Sequence, residues 1–263
     1  MEGLSAPRMD LHPGRLLGML EPNGLCRTIV LFDRVDSTNG AAMRAAGAGA
    51  AEGALFIAEE QGKGRGRAGR SWVSAPGRSL LFSLLLRPSR DGGGLTVLLA
   101  IASVRALGAY CEGVMIKWPN DIFIGGAKAA GILAESKGGA AVLGMGLNVN
   151  EGPDDFPPDL RGAATSLAIE SGRVLSRGEI LVRILKELDA CFDLWRASGL
   201  EPFVCELERR MLYRGEPVVL ENGRERIEGV MKGCAGDGRI RLEVEGRERL
   251  FASGDLSLRR RPR

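Results

Sequence analysis

Apolar and polar positions in the first 150 residues follow two patterns, short apolar runs and longer apolar stretches. Runs rich in Ile, Val, Leu and Phe are typical of strands, whereas an Ala-rich stretch after a Ser or Thr cap favours a helix. Helices are therefore predicted over residues 38–51 and 95–110. Strands are predicted over residues 27–35, 54–60, 80–86, 114–117, 121–124, 130–136 and 141–149. Together these elements predict a mixed α/β sheet domain.

The C-terminal part of the chain carries two helical patterns and then a β-rich one. Apolar residues return at helical spacing over residues 176–198, where Ser176 and Glu179 form a capping box, and a second helix is predicted over residues 202–212. Residues 217–258 alternate short strand-like runs with turns, a pattern that predicts a small antiparallel β-barrel. The turn sequences lie at residues 221–223 and 236–238.

Length and composition are those of a globular protein with one large domain and one small one, at 263 residues and 44% hydrophobic content. We divide the chain into a short N-terminal extension (1–26), a catalytic domain (27–213) and a small β-barrel domain with a basic tail (214–263). The longest apolar run, residues 95–104, stops at Arg105, and the N-terminus lacks a cleavable hydrophobic region. We therefore expect a cytoplasmic protein that neither spans nor binds a membrane.

Histidine and cysteine usage excludes several kinds of site. His12 is the single histidine, which excludes a multi-histidine metal site, and it lies in a Pro/Gly-flanked N-terminal stretch typical of a surface histidine, which argues against a Ser-His-Asp triad or a His-activated cysteine. The five cysteines are odd in number and show no CxxC spacing, which argues for reduced thiols rather than disulfides or a zinc cluster. Any chemistry must therefore depend on other side chains.

Residues 64–72, which we call the basic segment, read GRGRAGRSW and concentrate positive charge. The net charge of the chain is only +3, yet residues 62–90 hold seven Lys or Arg and no acid. Glycines let the backbone bend tightly and approach a ligand, and arginines bind carboxylate or phosphate. We expect the basic segment to form an anion-binding loop rather than ordinary secondary structure.

The basic segment also matches two nucleotide-binding patterns, and both fail on context. Its glycines spell GxGxxG, and residues 64–71 resemble a P-loop with Arg in place of Lys. Both patterns require a helix directly afterwards, but residues 72–77 read WVSAPG. An RGG-like segment that binds single-stranded nucleic acid would need interleaved aromatic residues to stack bases, and only Trp72 is present. The alternative to a binding site is a flexible basic surface loop without a ligand.

Three further segments carry candidate chemistry. Residues 117–121 read KWPND, whose Asn offers hydrogen bonds and whose Asp offers a carboxylate for a cation or an arginine. Lys128 comes shortly before residues 131–135, GILAE, and residues 144–150 read GMGLNVN. The glycines of these last two segments leave room for a flat ligand against the backbone of a strand.

Five segments, in this order and spacing, closely resemble the biotin protein ligases: DSTN at residues 36–39, Gln61 with the basic segment, KWPND, Lys128 with AGILAE, and GMGLNVN. The resemblance implies an α+β fold related to class II aminoacyl-tRNA synthetases and lipoate ligases. Its catalytic domain has a mixed β-sheet with flanking helices, and a small C-terminal antiparallel β-barrel follows. Some members carry an N-terminal DNA-binding domain, but only about 26 residues precede the first predicted strand here. We therefore expect no sequence-specific DNA binding.

The resemblance also implies roles for individual residues. Those expected to bind biotin are Ser37, Thr38, Gln61, Gly64, Arg65, Arg67, Lys128, Gly131, Ile132 and Gly144. Those expected to bind ATP are Arg67, Trp72, Asn120, Lys128 and Asn148. The catalytic residues are expected to be Arg65, Arg67 and Lys128, which gather the biotin carboxylate and the ATP phosphates. The magnesium ligands are unassigned, with Asp121 the one candidate.

The reaction that the resemblance implies has two steps. Biotin reacts with ATP and Mg²⁺ to give biotinyl-5′-AMP, and biotin then passes to a lysine of a biotin carboxyl carrier protein, a subunit of acetyl-CoA carboxylase. Because the first step brings two anions together, it needs fixed cations rather than a general base. Two alternatives stay open: a lipoate or octanoate protein ligase, and a non-catalytic protein that binds an adenylate or RNA. The edge strands of the sheet leave both a monomer and a homodimer open.

Overall fold

The computed structural model describes residues 10–88, 94–221, 225–252 and 257–260. The start of the predicted N-terminal extension (1–9), the predicted turn at 222–223 and the end of the basic tail (261–263) lie outside the described residues. Within the described ranges, no helix combines the length and the apolar character that crossing a membrane requires.

A seven-stranded mixed sheet forms the centre of the molecule. Its strands are β1 (Thr28–Val35), β2 (Ala54–Gln61), β3 (Leu80–Leu86), β4 (Met115–Lys117), β5 (Asp121–Ile124), β6 (Ala127–Lys137) and β7 (Ala140–Leu147). They lie in the order β1-β2-β3-β7-β6-β5-β4, with β1 and β2 parallel and the other neighbours antiparallel. The central strand β3 is buried at every residue, as expected for its continuous apolar run. The predicted α+β fold with a mixed sheet is confirmed.

Six α-helices accompany the sheets in the described part of the chain. They are α1 (Pro13–Met19), α2 (Thr38–Gly47), α3 (Leu95–Leu107), α4 (Leu167–Ser171), α5 (Arg177–Ser198) and α6 (Val204–Arg210). Ser37 caps α2, since its hydroxyl accepts a hydrogen bond from Gly40 N at 3.4 Å. The sequence pattern missed α1 and α4, which have 7 and 5 residues and are too short to show a helical period.

The C-terminal strands form a second, five-stranded sheet. They are β8 (Pro217–Glu221), β9 (Arg226–Cys234), β10 (Ile240–Val244), β11 (Arg247–Phe251) and β12 (Ser257–Arg260). All neighbours are antiparallel in the order β11-β10-β9-β8-β12, and the two outer strands do not pair with each other among the described residues. The predicted antiparallel sheet is present, but its predicted closure into a barrel is wrong. Residues 247–250 are exposed and mostly charged. Charged side chains on an unpaired edge strand disfavour pairing with a strand of another molecule.

The turn between β9 and β10 and the segment that follows α6 both bond to residues in or just after β4 of the main sheet. The indole Nε1 of Trp118 donates to Gly238 O at 3.0 Å, and Leu212 N donates to Ile116 O at 2.8 Å. These bonds fix the backbone on which the KWPND residues lie. The domain division at residues 213 and 214 stays a proposal.

A buried ion pair joins α5 to the main sheet. The Arg177 side chain is 2% exposed, and its two terminal nitrogens contact both carboxylate oxygens of Glu59 on β2, at 2.7 and 3.1 Å. Arg177 also donates to Ser79 O at 3.2 Å. Removing one partner of such a pair leaves the other charge buried without compensation.

We therefore predict that Arg177→Leu lowers the free energy of unfolding by about 3–5 kcal/mol. The double variant Arg177→Leu with Glu59→Leu is expected to lose clearly less, because no uncompensated charge remains. Urea unfolding of the two variants and the wild type measures both values. Equal losses in the two variants would contradict the predicted coupling.

Candidate active site

The main sheet and the basic segment line a cavity of about 350 Å³. This volume lies in the range of small-molecule binding sites. The cavity brings together all but one of the residues predicted for biotin, ATP or metal binding: Ser37, Thr38, Gln61, Arg65, Arg67, Trp72, Asn120, Asp121, Lys128, Gly131, Ile132, Gly144 and Asn148. Gly64 is not among its lining residues.

The basic segment folds as a short hairpin, contrary to the expectation that it lacks ordinary secondary structure. Gly66 N donates to Arg70 O at 2.7 Å, and Trp72 N donates to Gly64 O at 3.0 Å. The two sides approach so closely that a Cβ at Gly64 would collide with the carbonyl oxygen of Trp72. The hairpin itself therefore requires the glycine at position 64. Its contact with biotin stays a prediction.

One end of the cavity is a cluster of hydrogen-bonding groups at the start of α2, formed by half-buried Gln61 and buried Thr38. The Oε1 atom of Gln61 accepts from Thr38 N at 2.7 Å and from Thr38 Oγ1 at 3.0 Å. Ser37 precedes Thr38 and is likewise buried, at 5% exposure. These groups can donate to and accept from a small polar ring held against the helix N-terminus.

Asn39 is a residue of this cluster whose role the sequence did not indicate. Its Nδ2 donates to Leu133 O at 3.2 Å, and its Oδ1 lies 2.6 Å from Ser83 Oγ. A Cβ at Gly144 would collide with the Asn39 side chain. The glycine at 144 therefore makes room for a protein side chain, in addition to lining the cavity. The sequence motif DSTN contains Asn39, but no role followed from it.

Lys128 is held in the cavity by a carboxylate and an aromatic ring. Its Nζ lies 2.7 Å from Asp121 Oδ1 on β5 and 5.7 Å from the centre of the Trp72 ring. A lysine held in this way is a fixed positive charge on the cavity wall.

Arg67 is positioned by a hydrogen bond to the side chain of Asn120. One of its terminal nitrogens donates to Asn120 Oδ1 at 3.1 Å. Asn120 is in turn fixed, because its Nδ2 donates to Ile132 O at 2.9 Å and its own carbonyl accepts from Ile132 N at 2.8 Å. The Asn120 side chain therefore orients an arginine, a use that the sequence motif alone does not specify.

The Trp72 indole lies on a floor made of two glycines that face each other on β6 and β7. Gly131 and Gly146 are paired across the two strands. A Cβ at Gly146 would lie 2.5–2.9 Å from indole atoms, and one at Gly131 would lie 3.2 Å away. The indole Nε1 is buried and has no hydrogen-bond partner. Gly146 was not assigned a role from the sequence, although it belongs to the quoted GMGLNVN segment.

Lys117, the first residue of KWPND, is a further cation of the cavity that sequence reasoning did not assign. Burial lowers the pKa of its amine, Asp121 opposes this shift, and the positive charges of Lys128, Arg259 and Arg70 lower the pKa further. Its Nζ lies 5.0 Å from the centre of the Phe123 ring. Lys117 thus loses its proton at a lower pH than an ordinary lysine.

Asn148 lies at the end of β7, where it holds the following loop. It is 4% exposed, and its Nδ2 donates to Thr165 O at 2.9 Å. Its backbone N donates to Ala129 O at 2.9 Å. Asn148 lines the cavity, and its predicted contact with ATP is compatible with this place.

The cavity offers few ligands for a metal ion. In the described ranges, no group of three or more His, Cys, Asp or Glu side chains could hold one. Asp121 faces the cavity but is paired with Lys128. A single carboxylate does not make a resident metal site, and it fits instead a magnesium ion that arrives on the phosphates of a nucleotide.

Known proteins are similar to this chain in sequence and in fold. Residues 31–150 match the model of the biotin/lipoate A/B protein ligase family. The chain is 34% identical over 242 residues to the biotin–[acetyl-CoA-carboxylase] ligase of Mycobacterium tuberculosis, covering 88% of each protein. It is 32% identical over 240 residues to the bifunctional ligase/repressor BirA of Bacillus spizizenii, covering 88% of this chain and 74% of that protein.

The structure is similar to that of a biotin protein ligase from Aquifex aeolicus in complex with biotin and ATP. The two chains are 31% identical and superpose with a TM-score of 0.81, covering 89% of this chain and 100% of that one. Similarity of sequence and fold thus extends far beyond the motifs around the cavity. The chain therefore belongs to the biotin protein ligase family.

Proposed function

We propose that this protein activates biotin with ATP to give biotinyl-5′-AMP and transfers the biotin to a lysine of a carrier protein. One observation carries the proposal. Hydrogen-bonding groups of buried Thr38 and half-buried Gln61 share a single cavity with the fixed cations Arg67 and Lys128. This arrangement suits a ligand with a polar ring at one end and a carboxylate at the other.

Biotin has such a shape, and we place its ureido ring against Ser37, Thr38 and Gln61. The positions of Gly144 and Gly146 support this placement, because they are two residues apart on one face of β7 and mark the polar end and the Trp72 end of the cavity. The biotin carboxylate then points towards Lys128.

We place ATP at the other end, with its base on the face of Trp72 that is turned away from Gly131 and Gly146 and its α-phosphate near Lys128 and Arg67. Trp72 offers a flat surface fixed by glycines below it. Lys117 and Arg70 also line the cavity and supply charge for the remaining phosphates. Magnesium belongs to the nucleotide in this scheme, and it shields the phosphate charge when bound.

The first chemical step joins two anions without proton transfer. A biotin carboxylate oxygen attacks the α-phosphorus, the bond to the β-phosphate oxygen breaks, and pyrophosphate leaves. In the second step the neutral amine of the acceptor lysine attacks the acyl carbon, and AMP leaves with the bonding electron pair while the amine gives its proton to solvent. Lys128 and Arg67 would stabilise the charge that develops on the α-phosphate.

The acceptor that we propose is the biotin carboxyl carrier protein of acetyl-CoA carboxylase. The support comes from the relatives, since those of Mycobacterium tuberculosis and Paracoccus denitrificans are named biotin–[acetyl-CoA-carboxylase] ligases. The absence of sequence-specific DNA binding, the cytoplasmic location and the choice between monomer and homodimer stay predictions from the sequence.

Supplying magnesium, ATP labelled in its α-phosphate, and either biotin or lipoate tests the proposal. We expect labelled acyl-adenylate with biotin, and biotinylated carrier once apo carrier protein is added. Adenylate formed with lipoate instead would indicate the lipoate ligase alternative. Nucleotide binding without any adenylate would indicate a non-catalytic binding protein, and either result would overturn the proposal.

The lowered pKa of Lys117 predicts how ATP use depends on pH. Because a lysine with a lowered pKa becomes neutral at lower pH than usual, we expect the KM for ATP to rise in alkaline solution, by roughly tenfold once the charge is lost. Lys117→Arg is expected to flatten this rise, because arginine stays charged. Steady-state kinetics of both proteins between neutral and alkaline pH measure the difference. The same alkaline rise in the arginine variant would assign the titration to another group.

A further inference from the structure

Glu135 is a carboxylate of the main sheet for which the proposed reaction has no use. It lies on β6 next to the cavity, and both of its oxygens receive hydrogen bonds from Arg65, at 2.8 and 3.1 Å. Such a two-point contact between a guanidinium and a carboxylate is strong and directional. The charge of Arg65 is thus already matched by a protein group.

The buried side chain of Asn39 holds Glu135 in place. Asn39 Nδ2 donates to Glu135 Oε2 at 2.9 Å, and Asn39 is 5% exposed and also bonded to Leu133 O. Asn39 follows Thr38 directly, so the support for Glu135 belongs to the first turn of α2, beside the proposed biotin end of the cavity. The absence of a Cβ at Gly144 gives the Asn39 amide its space.

Besides the packing of Trp72, two arginines of the basic segment bond to side chains of the main sheet or its turns. Arg65 reaches Glu135 on β6, and Arg67 reaches Asn120 at the start of β5. Backbone hydrogen bonds within the hairpin join its two sides. If the contact between Arg65 and Glu135 is released, the contact between Arg67 and Asn120 must hold the hairpin with less support.

We propose that Arg65, Glu135 and Asn39 form a clip that holds the basic segment closed over the cavity. Arg65 is then a positioning residue that acts through Glu135, rather than a charge that binds the biotin carboxylate or a phosphate. The proposal rests on the proposed function for its effect on catalysis, while the clip itself exists without any ligand. It revises the role that the resemblance implied for Arg65.

A double-mutant cycle with Arg65→Gln, Glu135→Gln and both changes together tests the clip. The first readout is the rate at which biotinyl-adenylate leaves the enzyme. We expect each single change to raise this rate about tenfold, and the double change to raise it no further, because all three break one contact. Arg65→Lys is expected to rescue little, since lysine cannot make the two-point contact. Unchanged or slower release in Glu135→Gln, or full rescue by Arg65→Lys, would show that Arg65 binds the ligand directly.

The second readout needs no activity. Trypsin cleavage after Arg67 and Arg70 in the protein without ligand, followed by mass spectrometry, reports opening of the hairpin, and we expect Glu135→Gln to accelerate it about tenfold. Glu243→Gln is the matched control, because it removes a similarly exposed ion pair, with Lys232 at 2.8 Å, from the second sheet. If the wild type makes no biotinyl-adenylate, the proposed function fails while cleavage still tests the clip. Equal cleavage rates in Glu135→Gln and in Glu243→Gln would overturn the proposed clip.

Discussion

Lys128→Ala is expected to slow formation of biotinyl-adenylate by about a hundredfold to a thousandfold, with little loss of thermal stability. The side chain is one-third exposed and faces the cavity between Asp121 and Trp72, so its removal takes away a fixed positive charge without opening the core. Negative charge on the α-phosphate is greatest in the transition state, where an aligned cation stabilises it most. Pyrophosphate release measures the rate, and thermal unfolding measures the stability.

Lys137→Ala provides the control for this prediction, because Lys137 lies on the same strand but is exposed at its far end. It is expected to leave the rate unchanged. If Lys128→Ala lowers stability and rate in parallel, its ion pair with Asp121 is structural and the catalytic role is contradicted. If adenylate forms normally, another cation acts on the α-phosphate.

The sequence predicts the sheet well where each strand is an uninterrupted apolar run. Residues 80–86 were predicted as a buried strand, and β3 has those bounds and is buried throughout. The helix predicted over residues 38–51 ends at Gly47, and Gly49 has a φ of 89°, which a continuing helix does not allow. Closure of the C-terminal strands depends on which strands meet in space, and residue patterns along the chain carry no such information.

The candidate site shows the same limit at single residues. The cavity collects Trp72 and Lys128 with the polar groups of α2 as the motifs predicted. A motif cannot tell, however, whether a missing side chain makes room for a ligand or for the protein. Gly144 accommodates Asn39, and Gly64 accommodates the backbone of the hairpin. Glu135 has no motif that distinguishes it from a solvated carboxylate, since its partners lie 70 and 96 positions away in the chain.

Gly146→Ala is expected to raise the KM for ATP by about tenfold while leaving biotin binding unchanged. The added methyl would lie 2.5–2.9 Å from the Trp72 indole, so the ring must move away from the sheet. Stacking of a base on an aromatic ring contributes about 1–3 kcal/mol, and a displaced ring loses part of this contribution. Steady-state kinetics give the KM. Tryptophan fluorescence reports the movement of Trp72, because the other two tryptophans, Trp118 and Trp195, are buried at 2% and 0% exposure and are expected to keep their emission.

Alanine substitutions at two other glycines provide a weaker variant and a control for this prediction. At Gly131 the methyl would lie 3.2 Å from the indole, so Gly131→Ala is expected to raise the KM for ATP less than Gly146→Ala does. Gly18→Ala on α1 has no atom within 4 Å of the added methyl and is expected to change neither property. A shifted tryptophan emission in Gly146→Ala with an unchanged KM for ATP would mean that the nucleotide base does not stack on Trp72. An unchanged emission would mean that the strand, rather than the indole, yields to the methyl group.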